Sequence, residues 1–299
     1  MLQVFVEVLV PVYAIVGVGY AIARLVGIEP PALASLSYWI LGPAFIFDVL
    51  ADAELAPDVV VGVIAATLIG MALVALVAAM AMRVIGVEFP RLAATVLTSI
   101  YGNVGNFGLA ICAFAFGVAA LPIAGIVMVT VNTVGIVAGV GLATIRRGSL
   151  GRAVATAFLS PLALAVLPAL VVNLSNAPMP VWIDRPISLL AAALIPVMLL
   201  TLGIQIADMP RALPDRLVTV PIGLKLVLSP LAAFLAVTVL GLGGTAAQVV
   251  VLQAAMPAAV FASLIALKHD LDADYVTSVV LTGTLVSVIT LPVVITVLA

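Results

Sequence analysis

The chain has 299 residues, 66% of them apolar and only 8% charged, where a soluble globular domain has roughly 45–50% and about 25%. That excludes a water-soluble fold, and eleven Lys and Arg against thirteen Asp and Glu, net −2 with no basic run, exclude nucleic acid as a partner. One cysteine, Cys112, and one histidine, His269, cannot build a disulfide framework or a Cys/His metal centre, so no metal and no cofactor is expected.

A spanning helix takes about 20 mostly apolar residues. Continuous apolar runs of that length, without the period-two alternation of a membrane strand, predict ten spans over 2–25, 32–51, 58–82, 91–116, 121–145, 153–173, 186–207, 217–240, 246–268 and 274–298. The first run opens MLQVFVEVLV without a positive flank, so it reads as a span and not as a cleaved signal. Glu7 in span one and Asp48 in span two are acids toward the outer face, either candidates for carrying a coupling proton or solvated helix-end groups. Span four, TVLTSIYGNVGNFGLAICAFAFG, interleaves Gly102, Gly105 and Gly108 with Asn103 and Asn106. Each glycine weakens a helix by roughly 1 kcal/mol, and the asparagines can bond the backbone groups a break frees; a small-residue packing face is the competing explanation. Asn132 in span five and Gln205 in span seven are uncharged polar groups at depth, binding groups or interhelical glue.

Lys225 in span eight lies nine residues past Arg216, roughly 13 Å along a helix axis. It either meets a substrate carboxylate or an acid, or snorkels on its four-carbon stem to the interface. Span nine, VVVLQAAMPAAVFASLIAL, carries Gln253 one turn before Pro257. The proline removes an amide donor and clashes with the preceding turn, so this helix kinks or unwinds at its middle.

Lys and Arg concentrate on the cytoplasmic side of a membrane. Arg24, Arg83, Arg91, Arg146, Arg147, Arg152, Arg211, Arg216 and Lys268, nine of the eleven, fall in the loops after the odd-numbered spans. Both termini are therefore expected outside. A shift of 153 residues lays the first half on the second: Pro43 falls on Pro196, and Arg91–Gly117 on Gly244–Asp270. Pro257 then faces Val104, beside the position matching Asn103. Five spans per half make the second repeat enter the membrane inverted, with the halves at 1–148 and 149–299. Inverted repeats with broken helices at the midplane are characteristic of secondary transporters. Half-helix N-termini meeting there favour an anionic group. No Gly-x-x-x-x-Gly-Lys-Ser/Thr phosphate cradle occurs, which argues against ATP as fuel, and no catalytic constellation points to an enzyme.

The run Gly102-Asn103-Val104-Gly105-Asn106-Phe107-Gly108-Leu109, Pro161 opening span six, Ala255-Met256-Pro257-Ala258-Ala259, and Ser287 through Pro292 together resemble the auxin efflux carrier family of the bile acid/arsenite/riboflavin transporter superfamily. The resemblance covers the whole chain. Family members often have proline where this chain has Ala110 and asparagine where it has Ser160, so here the glycines alone must break span four. The resemblance implies an all-α membrane protein of ten transmembrane helices in two inverted five-helix repeats, with spans four and nine crossing. A scaffold of spans one, two, six and seven (about 2–51 and 153–207) that dimerises would carry a transport domain of spans three to five and eight to ten (about 58–145 and 217–298). It further implies an elevator motion and a small organic anion as cargo, such as malate, malonate or an auxin-like acid. By that likeness Asn103, Asn106 and Pro257 map onto the binding crossover. The short RRGSLGR connection leaves no long regulatory loop.

The expectation is thus an organic-anion carrier, a homodimer in a prokaryotic inner membrane, with H+ or Na+ as candidate coupling ions. Asn103, Gly105, Asn106, Asn132, Lys225, Gln253 and Pro257 are its binding candidates, and Gly102, Gly105, Gly108 and Pro257 its hinges. A sodium-coupled symporter of the bile acid type and a non-transporting receptor stand as alternatives.

Overall fold

Prolines open and glycines close many of the helices, the placement that suits a missing amide donor at one end and a left-handed residue at the other. The computed structural model describes residues 1–144, 150–175, 179–210 and 215–298. In it α1 (Leu2–Val26) ends at Gly27, φ 74°; α2 (Pro30–Ala51) starts on its proline pair; and α3 (Pro57–Ile85) ends at Gly86, φ 80°. There follow α4 (Phe89–Ile100), α5 (Val104–Phe116), α6 (Leu121–Thr144), α7 (Leu150–Phe158), α8 (Pro161–Ser175), α9 (Val181–Asp208), α10 (Arg216–Val239), α11 (Gly244–Ala254), α12 (Phe261–His269) and α13 (Ala273–Leu298).

The described residues are helical, with one isolated antiparallel bridge in place of any sheet. Among the described residues seven helices are long and apolar enough to cross a membrane: α1, α2, α3, α6, α9, α10 and α13. The fourth, sixth and ninth expected spans are each a pair of shorter segments, α4–α5, α7–α8 and α11–α12. The seventh begins at Val181, earlier than expected, because the helix runs through Pro186 and Pro196 without breaking. Arg146, Arg147, Arg211 and the boundary expected at 148/149 lie outside the described residues.

Among the described residues four wide π turns interrupt the α geometry, at Phe5–Leu9, Ser37–Leu41, Val104–Gly108 and Leu224–Leu228. Three of them precede a proline by the same step, Pro11, Pro43 and Pro230. Proline cannot donate to the carbonyl one turn back and its ring crowds that turn, so a widened turn absorbs the misfit.

The long helices bury one stripe and leave the remainder apolar and outward-facing, as a lipid-facing helix must. Along α3 the buried residues are Val63, Ala66, Thr67, Gly70, Met71, Val74, Ala78 and Met82, a helical period. In α4, by contrast, every residue from Ala93 to Ile100 is buried, and Phe107, Leu109 and Ile111 of α5 are fully enclosed. The core therefore sits around the interrupted helices. α1 packs on α9, α2 on α8 and α9, and α3 on α4 and α10. At the first of these contacts backbones meet: a Cβ on Gly19 would collide with the Leu200 carbonyl, and one on Gly203 with the Val16 carbonyl. Small residues are what permit such approach where no water drives helices together. Asn173 of α8 donates to the carbonyls of Ala51 and Ala53 at 3.0 and 2.9 Å, finishing α2.

Candidate functional site at the crossing of two interrupted helices

α4 ends because Tyr101 turns extended (φ −90°, ψ 90°), and α5 resumes in a wide turn closed by the Gly108 amide on the Asn103 carbonyl at 3.0 Å. α11 ends at Ala254, and α12 begins at Phe261. The two interruptions pair with each other. The Asn103 amide donates to the Pro257 carbonyl at 2.7 Å and the Ala259 amide to the Tyr101 carbonyl at 2.9 Å, an antiparallel bridge of Gly102 with Ala258. Each break thus satisfies backbone groups that the other releases, which is the condition for non-helical chain at membrane depth. Pro257 contributes only a carbonyl, the one backbone group it has to offer.

Around this bridge the side chains are buried and incompletely bonded. Asn103 is 5% exposed and its Nδ2 has no hydrogen-bond partner; Gln253 is 0% exposed and neither its Oε1 nor its Nε2 has one. Gln253 lies against Gly108, where a Cβ would strike its amide, so that glycine makes the room it occupies. Lys225 is 3% exposed. Its Nζ donates to the Ala254 carbonyl at 2.9 Å and to Ser229 Oγ at 3.4 Å, and a Cβ on Gly102 would stand 2.9 Å from that Nζ. The stem does not snorkel; the ammonium belongs to the crossing. An uncompensated lysine at such depth costs about 2.5–3.5 kcal/mol on insertion scales, offset in part by these two oxygens. A cavity of about 20 Å³ opens between Thr67, Ile100, Lys225, Ser229, Gln253 and Ala254, room for about one water.

The other candidates fall elsewhere or are already bonded. Asn106 Nδ2 reaches Gln205 Oε1 of α9 at 3.5 Å, and Gly105 lies against the thioethers of Met198 and Met128. Asn132 accepts the Tyr101 hydroxyl at 2.7 Å and donates to the Met128 carbonyl at 2.9 Å, which makes it a brace for the break. Asp48 accepts from Ser188 of α9 at 2.6 Å, and Glu7 is exposed and bonded to Gln3; neither touches the bridge. Sequence reasoning missed Tyr101, whose ring also meets Phe261 edge-on at 6.4 Å. It missed Tyr13 as well, whose ring abuts Phe107 at 5.4 Å and whose hydroxyl lies 3.3 Å from Ser287 Oγ. An aromatic at mid-span carries no signal beyond packing, although Tyr101 does directly precede the Gly-Asn run.

At one end of this unit Arg91 bridges Asp215 at 3.0 Å and Asp272 at 2.8 Å, its guanidinium 4.9 Å from the Tyr275 ring centroid. Tyr275 in turn bonds Thr95 Oγ1 and the Leu217 carbonyl. The starts of α4, α10 and α13 are tied together there. Chemically, the crossing offers amide and ammonium donors in a buried setting, suited to holding an anion's oxygens.

Known proteins share parts of this chain. A family model described as membrane transport protein matches residues 144–295. An uncharacterized transporter of Methanothermobacter thermautotrophicus is 34% identical over 105 residues, 34% of this chain and 34% of that protein. The chain thus spans about a third of the length of that curated relative.

Proposed function

We propose, from the premise that this chain belongs to the membrane transport protein family, the auxin efflux carriers, that it is a secondary carrier moving a small organic anion across a prokaryotic inner membrane. The observation that carries this reading is the set of buried donors without partners at the paired breaks, Asn103 Nδ2 and Gln253 Nε2. A buried amide left unbonded costs about 1–3 kcal/mol, and an anion's oxygens would recover that cost. The neighbouring Lys225 ammonium supplies the charge to match.

Ten spanning segments in two inverted repeats are the architecture we assign, with α4–α5, α7–α8 and α11–α12 each counted as one broken crossing. The packing of α1, α2, α8 and α9 with one another supports their role as the scaffold, and that of α3 to α6 with α10 to α13 supports a separate transport body. That body would move as an elevator, and the scaffold would dimerise. Between the two lie contacts such as Asn106 with Gln205 and Gly105 with Met198, and thioethers adapt readily to a shifting partner.

The test is counterflow of radiolabelled malonate and related mono- and dicarboxylates in proteoliposomes, alongside thermal unfolding of detergent-purified protein with each acid. A carboxylate that stabilises the protein and exchanges across the membrane is expected, and Asn103→Ala should lose both responses while still folding. Unchanged exchange in that variant would remove Asn103 from the binding site.

A further inference from the structure

Lys225 is the only charged side chain that is buried among the described residues, and what it touches is specific. It sits within the wide turn Leu224–Leu228, one turn before Pro230, and that turn carries it into the crossing. Its ammonium meets the carbonyl end of α11 at Ala254 and lies against Gly102 of the other break.

The two helix ends are finished differently. Beyond α4 the Tyr101 carbonyl accepts a backbone amide, that of Ala259. At the end of α11 the carbonyls of Val251, Leu252 and Gln253 accept from Ala255 and Met256, while Ala254 accepts from an ammonium. A helix C-terminus is the negative end of the dipole and favours a cation, and in carriers built from broken helices such ends hold the coupling ion. The other oxygens nearby are neutral: Thr67, Ser229 and Gln253 line the same small cavity, and both described ion pairs belong to Arg91. The Ala254 carbonyl and Ser229 Oγ meet the ammonium, and a carbonyl at a helix C-terminus beside neutral oxygens is a setting that a monovalent cation also takes.

We propose that Lys225 is a tethered cation occupying a latent monovalent-cation site at the end of α11, so that the carrier needs no sodium and brings its own positive charge to the substrate anion. The second half rests on the anion-carrier reading; the cation site is independent of it and can be read without any substrate.

The experiment is thermal unfolding of the purified full chain in about 100 mM sodium chloride and in choline chloride at the same ionic strength, for the wild type, Lys225→Ala and Lys225→Met. Lys225→Ala vacates the site, whereas methionine refills it with a neutral stem. Wild type and Lys225→Met should unfold at the same temperature in both salts. Lys225→Ala should be stabilised saturably by sodium, by about 2 °C or more. A folded Lys225→Ala that ignores sodium overturns the proposal, as does an equal sodium response in Lys225→Met. A wild type stabilised by sodium over choline overturns it as well, whether or not the alanine variant folds. If sodium rescues Lys225→Ala yet no carboxylate exchanges, the carrier reading has failed and the cation site stands. If carboxylates exchange and Lys225→Ala ignores sodium, the reverse holds.

Discussion

Replacing Gln253 by methionine should stabilise the protein, which is the opposite of what a core substitution usually does. The side chain is 0% exposed and both polar atoms lack partners; each such atom costs about 1–3 kcal/mol in the unliganded state. Methionine has nearly the same length, no strong polar group, and the flexibility to fill the space beside Gly108 and the small cavity. Taking about 3 kcal/mol recovered from the two atoms and about 1 kcal/mol lost to imperfect repacking leaves a gain of about 2 kcal/mol. At about 2 °C per kcal/mol for a chain of this size, the unfolding midpoint rises by about 4 °C. Thermal unfolding in detergent reads that shift, and repeating it with malonate reads the second half of the expectation, that the ligand-induced shift disappears. A variant about 1 kcal/mol less stable than wild type would refute the reasoning, because the Gln253 amide would then be bonded within the unliganded protein and free donors could not be the basis of the site.

Arg91→Ala should loosen the joint between α4, α10 and α13. Side chains there are 23–32% exposed, so two ion pairs with the ring contact to Tyr275 amount to about 1–2 kcal/mol; thermal unfolding should show that loss at low salt and less of it at high salt, and a loss independent of salt would mean the charges are not its source. Gly203→Val should part α1 from α9, costing about 3 kcal/mol by overpacking against the Val16 carbonyl. Gly17→Val serves as its control, since nothing lies within 4 Å of a Cβ there; equal melting temperatures for the two variants would discount the backbone contact.

Much of this arrangement is legible from residues alone. Gly102-Asn103 and Pro257 mark where α4–α5 and α11–α12 part, because glycine and proline act on their own segment. What they cannot announce is a partner: that the Asn103 amide ends on Pro257 and the Ala259 amide on Tyr101 depends on two chains of residues about 150 apart coming together. Lys225 shows the same limit. From sequence its stem reaches the interface as readily as the interior, and only the wide turn and the missing Cβ of Gly102 decide between them. From sequence Asn132 reads as a binding group or as interhelical glue, since depth and polarity are all a sequence displays, while the Tyr101 hydroxyl that it accepts is a tertiary neighbour. The parting of α7 from α8 at Ser160 was announced only as a proline, Pro161, and its consequence for the preceding turn went unread. The acids Asp48 and Glu7 are hydrogen-bonded away from the bridge, so a proton-coupling role for either would have to act from outside it.

The four wide turns invite a different lesson. Three come two residues ahead of a proline; the fourth, Val104–Gly108, comes two ahead of Ala110. The same distortion therefore exists with and without the residue usually held to cause it, sustained in the fourth case by the Gly108 amide on Asn103 and by the walls of the core. A wide turn at such a position therefore does not require proline: where Ala110 stands, the hydrogen bond from Gly108 to Asn103 holds the same shape. A search of related chains for irregular helices that counts prolines alone will pass over one of the two interruptions that meet at the crossing.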